Sequence, residues 1–320
     1  MPGVKRHSPL SGGGGLTREL TDLAASVRDR LKALARPGTD EFAVVLVRYG
    51  LERLLYRLSR SEWRDRFVLK GAMVFAAWSP KPHRATRDLD LLGYGPPDPQ
   101  RLRDVFRELC ELEVEPDGLT FHADSVRSRR IREQDEYQGI RVTMLVTLKR
   151  VRIPLQIDIG TGDKVVPPPE DISYPTLLDM PAPKLKAYSR YTVVAEKLEA
   201  MVVLETANSR MRDYYDIGVL ARSFEFDGDT LRAALEVTFG RRRVELPSRA
   251  PVGLSDGLAD SAEKQEQWRA FLRRSTPAES TASLREVVEG IRAFLVPVLS
   301  GQAKGRAWRP GKGWRTRRVR

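Results

Sequence analysis

Cysteine is almost absent from this chain of 320 residues, and histidine is scarce. A single cysteine, Cys110, excludes an internal disulfide. His7, His83 and His122 are too scattered to build a zinc site with it on any recognised spacing. A bound metal would therefore take oxygen ligands, which favours Mg²⁺ or Mn²⁺. Long apolar runs are missing too. The densest, MVFAAW at 73–78, is far short of a membrane span, and the first fifteen residues, MPGVKRHSPLSGGGG, lack the apolar core of a signal peptide. No membrane association and a cytoplasmic location are the resulting expectations. There is no internal repeat.

Acidic residues are absent from the last twenty positions, GQAKGRAWRPGKGWRTRRVR, which carry eight basic ones. They supply +8 of the net +12, so the remainder is only mildly basic. Trp308 and Trp314 interleaved with Arg and Lys suit a flexible arm that contacts phosphates and stacks on bases, or a solvated terminus that binds nothing.

The 41% hydrophobic content is enough for a substantial core. Residues 1–15, ending in four glycines, read as disordered. From Leu16 to Ser59 the pattern is helical, with Val44, Val47, Leu51, Leu54 and Leu58 on one stripe and Arg48, Arg53 and Arg57 off it. FVLKGAMVFAAW (67–78) reads as a strand that turns through Lys70 and Gly71 into a buried helix. Asp98 before Pro99 starts another helix, striped by Val105, Phe106, Leu109 and Leu112. The stretch 139–160 alternates over two strands and reads as an antiparallel hairpin, with Asp158 facing away from Ile153, Leu155, Ile157 and Ile159. A proline-rich segment at 165–184 marks a lobe boundary. Helices are expected beyond it at 192–206, 209–223, 229–238, 257–274 and 281–299.

The chemistry concentrates in RATRDLDLL (84–92). On a strand, Asp88 and Asp90 share one face while Leu89 and Leu91 share the other, and two like charges on one face call for a cation between them. The spacing proves little by itself, because Asp227 and Asp229 repeat it around a glycine where a helix is about to begin. The first copy has more around it: the glycine turn at 71, Arg84 and Arg87 upstream, and Asp158 on a second strand. Three carboxylates facing one way from neighbouring strands suit two-metal phosphoryl chemistry, where ions roughly 3.5–4 Å apart are bridged by carboxylate oxygens. Amides at Gly71 would reach a triphosphate, and Lys70 is either a phosphate ligand or a solvated strand-end charge. Further on, Lys197 lies in an apolar helical stretch, where a snorkelling lysine paired with Glu196 or Glu199 is the plain reading. Asp213 and Asp216, three apart beside Arg212, fit ordinary surface pairing.

Taken in order, LERLLYRLSRS, FVLKGAMVFAAW, RATRDLDLLG, LQIDIGTGD, VVAEKLEAMV and NSRMRDYYDI resemble the AbiEii family of nucleotidyltransferase toxins, related to the MenA-type toxins, over residues 45–225. The resemblance implies an α+β fold: a polymerase-β-like nucleotidyltransferase palm, a mixed sheet flanked by helices, followed by a C-terminal helical lobe. The expected division is a disordered 1–15, N-terminal helices plus palm over 16–180, the lobe over 184–300 and a basic flexible tail over 301–320. The resemblance and the residue pattern together give a catalytic set of Asp88, Asp90, Asp158, Lys197 and Asp213, with Asp88, Asp90 and Asp158 on Mg²⁺ or Mn²⁺, Asp158 also orienting or deprotonating the attacking hydroxyl, and Lys70, Gly71, Arg87 and Lys197 on the NTP. Asp216 is expected to support its helix, and Arg84 and Arg87 to lie near phosphates or RNA. Two departures stand out: Ala72 where many members have a second glycine or a serine, and Arg212 where the last motif usually opens with lysine. The implied activity belongs to the toxin of a type IV toxin–antitoxin (abortive-infection) module: Mg-dependent transfer of a nucleoside monophosphate from an NTP to an RNA 3′ hydroxyl, with tRNA the leading acceptor. An AbiEi-like antitoxin from the adjacent gene is the implied partner. A protein acceptor, or an inactive RNA-binding protein of the same fold, are the alternatives.

Overall fold

The computed structural model describes residues 13–35, 41–79, 84, 86–133, 137–275 and 282–317. Most of the segment read as disordered lies outside them, although its last three residues open the first helix. In chain order the elements are α1 (Gly13–Leu34), α2 (Phe42–Arg60), β1 (Phe67–Lys70), α3 (Phe75–Trp78), β2 (Asp88–Gly93), α4 (Pro99–Glu111), β3 (Leu119–Glu133), β4 (Tyr137–Leu148), β5 (Val151–Thr161), β6 (Glu170–Ser173) and β7 (Lys184–Ala187). There follow α5 (Arg190–Leu204), α6 (Met211–Ser223), β8 (Phe226–Asp227), α7 (Gly228–Arg241), α8 (Asp256–Asp260), α9 (Ala262–Ser275), α10 (Leu284–Leu299), β9 (Arg306–Arg309) and β10 (Gly313–Thr316). No helix among the described residues is long and apolar enough to cross a membrane.

Seven strands form one mixed sheet in the order β3-β4-β5-β2-β1-β7-β6, flanked by helices, so the expected α+β class is what the chain adopts. The alternation at 139–160 gives the β4–β5 hairpin, and β5 then runs parallel to β2. One face of these strands is apolar: Leu89, Leu91, Ile157 and Ile159 are fully or almost fully buried, in a core shared with α1, α2 and α4. The α4 start follows the expected chemistry, the Asp98 carboxylate accepting the Gln100 amide at 2.9 Å. Arg53 and Arg57, read as lying off the α2 stripe, are instead buried, because the chain covers that side of the helix too. Arg53 donates to the Pro181 carbonyl at 2.8 Å and Arg57 to Asp117 at 2.6 Å.

The lobe boundary falls a little later than the proline pattern suggested. β7 still belongs to the large sheet, parallel to β1, so the palm runs to Ala187 and Ser189 then caps α5. The helix expected at 257–274 is two helices, because Ser255 caps α8 and the Ser261 hydroxyl accepts from the Lys264 amide to open α9.

The C-terminal arm is the clearest departure from expectation. Residues 306–316 form a hairpin that pairs with β8 in a second, three-stranded sheet. Trp308 donates to the Ala221 carbonyl at 2.7 Å and Trp314 to the Phe294 carbonyl at 2.9 Å, and both rings pack on Phe294. Indoles read as free to stack on bases are covered by the lobe, whose apolar α10 stripe needs them.

Candidate active site

The register across the central strands sets four charged residues in one row. Lys70 on β1 lies opposite Asp90 on β2, Asp90 opposite Asp158 on β5, and Asp158 opposite Arg141 on β4. Side chains directly opposite each other in a ladder share a face, so the row reads plus, minus, minus, plus on the side away from the apolar layer. Asp88 begins β2 on the same face and accepts from the Thr86 hydroxyl at 2.7 Å.

Gly71 is required at its position twice over. Its φ is +69°, and a Cβ there would come within 2.0 Å of the Asp90 Oδ2. The backbone thus lies against the aspartate itself. The helical stretch after it is short, a 3₁₀ turn at Ala72–Val74 followed by the single turn α3.

Asp90 is the least comfortable group in the row. Burial first, and then the adjacent Asp88 charge, push its carboxyl up to about 7; Asp158 adds to the effect, while Lys70 and Arg212 oppose it. Asp158 is better compensated, because Arg141 donates to both its oxygens at 2.8 Å. Among the described residues no three His, Cys, Asp or Glu side chains form a ready cage for a metal ion. The donor set nevertheless suits Mg²⁺ or Mn²⁺. Both are hard cations that bind through one or two carboxylates together with water and substrate phosphate, and Asp88 and Asp90 offer oxygen alone, beside a half-buried Asp90 charge that its acidic neighbours disfavour.

Lys70, expected on the NTP or as a solvated strand-end charge, is engaged within the protein. It donates to Asp163 at 3.0 Å, lies 3.6 Å from Glu196 and sits over the Tyr188 ring. Two carboxylates outweigh its burial and hold its ammonium above the ordinary value.

Lys197 likewise departs from the plain reading, because it pairs with neither Glu196 nor Glu199. Its ammonium lies 2.5 Å from Asp213 and 2.8 Å from Asp216. Asp216 is fully buried, and Arg84 from the palm grips both its oxygens at 2.8 and 3.0 Å. Asp216 therefore does more than support its helix: it ties the approach to β2 to the helical lobe. The four groups form a compact cluster of two cations and two anions. Burial acts against the Lys197 charge, and the two aspartates outweigh it and hold the ammonium above its ordinary value.

Between the walls lies a cleft of about 750 Å³. Arg84, Thr86, Arg87, Asp88 and Gln156 line it from the palm, Ser209–Arg212 from the start of α6, and Gln267, Ala270, Phe271 and Arg274 from α9. Five arginines face one carboxylate there. Arg87 is among the lining residues, while Gly71, Asp90, Asp158, Lys197 and Asp213 do not line the cleft itself. The sequence reading missed Arg210, Arg274 and the α9 wall. The arginines flanking Met211 were the available signal; nothing in the order of residues brings 267–274 to position 88.

Comparison with known proteins gives the family. The family model for the nucleotidyl transferase AbiEii toxin of type IV toxin–antitoxin systems matches residues 53–290. The chain belongs to the AbiEii family. No curated protein matches it. Two solved structures are similar in shape, each at 13% identity and covering 81% of this chain: JHP933 from Helicobacter pylori (92% of that chain, TM-score 0.46) and a candidate nucleotidyltransferase from H. pylori (95%, TM-score 0.44). The matched AbiEii segment takes in the charged row, the Lys197 cluster and the cleft, and ends before the β9–β10 hairpin.

Proposed function

We propose that this AbiEii toxin transfers a nucleoside monophosphate from an NTP to the 3′ hydroxyl of an RNA, with tRNA as the leading acceptor and pyrophosphate as the leaving group. The observation that carries the reading is the juxtaposition of Asp88 and Asp90, on one strand face with the Asp90 charge undercompensated, with a cleft whose lining is five arginines to one carboxylate. Substrate and acceptor are both polyanions, and such a cleft attracts them.

Asp88 and Asp90 would hold Mg²⁺ or Mn²⁺, which when bound supplies charge neutralisation at the attacking and leaving oxygens. Asp158, fixed by the Arg141 fork, orients the acceptor hydroxyl and takes its proton. Gly71, whose backbone lies against Asp90, would offer its amide to the phosphates beside the metal. Lys197 and Asp213, the further members of the catalytic set, act through position: their pairing with Asp216 and Arg84 fixes the start of α6, which carries Arg210 and Arg212. Those two arginines, with Arg87, meet the triphosphate. An AbiEi-like antitoxin is the partner that restrains the toxin in the cytoplasm.

The test is incubation with each of the four labelled NTPs, Mg²⁺, and either a tRNA pool or cell-extract protein, followed by sequencing of RNA 3′ ends. Label on RNA, lost in Asp88→Ala and Asp90→Ala together with growth inhibition, is the expected result. Label confined to protein would transfer the reading to a protein acceptor, and unchanged toxicity in both variants would end the enzymatic one.

A further inference from the structure

The cleft has a third wall that the transfer chemistry leaves unused. Gln267, Ala270, Phe271 and Arg274 lie at i, i+3, i+4 and i+7 along α9, so they make one face of that helix, and that face lines the cleft opposite the palm. Its chemistry differs from that of the other walls. Phe271 is a half-buried aromatic held from behind by Tyr215 and Trp268, with ring centroids 5.6 and 5.7 Å away, and both supporting rings are buried. Its orientation is therefore set before anything binds. The Gln267 amide donates to Glu263 at 2.8 Å and accepts from Lys264 at 3.5 Å, which leaves one N–H and one lone pair for another partner. Arg274 makes no hydrogen bond or ion pair among the described residues. The same holds for the Arg210 and Arg212 side chains on the neighbouring wall, in contrast to Arg84, which is committed to Asp216.

An aromatic face, a fixed amide edge and uncommitted guanidinium groups side by side are the three contacts a nucleotide needs: a π surface for the base, a donor and acceptor for its edge, and cations for its phosphates. We infer that this α9 face is the nucleobase-recognition surface of the cleft, Phe271 stacking on the base and Gln267 reading its edge while Arg210, Arg212 and Arg274 hold the attached phosphates. The inference rests on the nucleotidyl-transfer reading and names the part of the site that selects the base. The base belongs either to the incoming NTP or to the 3′-terminal nucleotide of the acceptor; both present the same chemistry.

Calorimetric titration of the full chain tests it without requiring turnover. The probes are each NTP, inorganic tripolyphosphate as a ligand lacking a base, and a short single-stranded RNA with and without its 3′-terminal base. Phe271→Leu keeps apolar volume against Tyr215 and Trp268 but removes the π face, Phe271→Trp restores a π face, and Gln267→Ala removes the amide without touching the ring. The wild type should bind an NTP more tightly than tripolyphosphate. Phe271→Leu should weaken the base-bearing ligand by about 5- to 150-fold, with tripolyphosphate unchanged and with recovery in Phe271→Trp. Gln267→Ala should reduce the same difference. Loss confined to NTPs assigns the base to the donor, and loss confined to the intact RNA end assigns it to the acceptor. Equal weakening of tripolyphosphate and NTP, or no weakening in Phe271→Leu and Gln267→Ala, overturns the proposal. A wild type that binds base-bearing ligands selectively but transfers nothing would overturn the transferase reading and leave this one standing.

Discussion

Two Asp-x-Asp sequences in this molecule have the same spacing and opposite surroundings. Asp227 accepts the Thr230 amide at 2.8 Å as the cap of α7 and pairs with Arg317, while Asp229 pairs with the same arginine at 2.7 Å and accepts from the Gly305 amide. The residue between them must be glycine, because a Cβ on Gly228 would come within 2.1 Å of the Ala303 carbonyl. Around Asp88 and Asp90 the intervening residue is Leu89, fully buried in the core, which fixes both aspartates on the opposite face. There Asp88 and Asp158 flank Asp90, and Lys70, the nearest cation on its strand side, is shared with Asp163 and Glu196. One pair is satisfied by the protein; the other is held in a state that a bound cation would relieve. Environment, more than spacing, separates a satisfied capping pair from an uncompensated one.

The largest effect should come from removing the unsatisfied charge. Asp90→Asn is expected to lower transferase activity by at least about 10²–10³-fold, the scale on which charge-stabilising groups at a reaction centre act. Its melting temperature should not fall, because the substitution relieves a half-buried like-charge contact. Measuring activity and thermal unfolding on the same preparation separates the two consequences; a matched loss of both would make Asp90 a structural residue.

The compensated cluster across the cleft should respond in the reverse sense. Asp216 has no exposed surface and balances both Lys197 and Arg84, so Asp216→Asn leaves two largely buried cations facing one carboxylate. Breaking a buried pair in this way typically costs about 3 kcal/mol or more. Denaturant titration should show that loss, and activity in the surviving folded fraction should fall less than in Asp90→Asn.

Period-two alternation carried the palm a long way in the sequence. Leu89 and Leu91 against Asp88 and Asp90, and Ile157 and Ile159 against Asp158, fix which side of each strand meets the core, and the strand register then follows from burying one face. What alternation cannot show is which strands become neighbours, or which helix closes the opposite wall. Phe271 meets the cleft through tertiary packing alone, and Asp216 looked like a surface residue because the arginine that buries it lies 132 positions earlier. The C-terminal arm was misread for a related reason. Its composition is that of a solvated basic tail, yet Gly311 and Gly313, at φ of +70° and +71°, make a tight turn that returns Trp314 alongside Trp308. Two tryptophans six residues apart with glycines between them were the available sign of a hairpin.

A third carboxylate asks whether a single cation is enough. Glu52 is buried beside Arg53 at 3.2 Å and accepts the Leu177 amide at 2.7 Å, yet burial outweighs both and pushes its carboxyl up to about 7 from an ordinary 4.5. The folded state therefore holds a proton here that the unfolded chain has already released. The stability tied to it is complete below about pH 4.5 and is lost as pH rises to about 7. Glu52→Gln removes that dependence. Between pH 5 and pH 8 the variant should gain about 2 kcal/mol relative to the wild type, read as the difference between the two denaturation curves at each pH. A constant difference across the range would show that Arg53 compensates Glu52 fully.

The smallest effect is predicted for the satisfied pair itself. Asp227→Ala removes the cap on Thr230 and one of the two carboxylates on Arg317, but Asp229 keeps that arginine paired and the β8–β9 ladder runs through backbone groups that the substitution leaves in place. Loss of an N-cap costs about 1 kcal/mol, and no group in the cleft contacts Asp227 among the described residues, so unfolding should shift slightly while transferase activity stays at the wild-type level. Asp227→Asn should restore most of the stability, since an asparagine oxygen caps nearly as well as a carboxylate. Activity measured beside Asp90→Asn then compares identical chemical changes in identical spacings. If the two asparagine variants lost activity to the same degree, the contrast between the pairs would have to be abandoned, because the surroundings of each aspartate would no longer decide what it does.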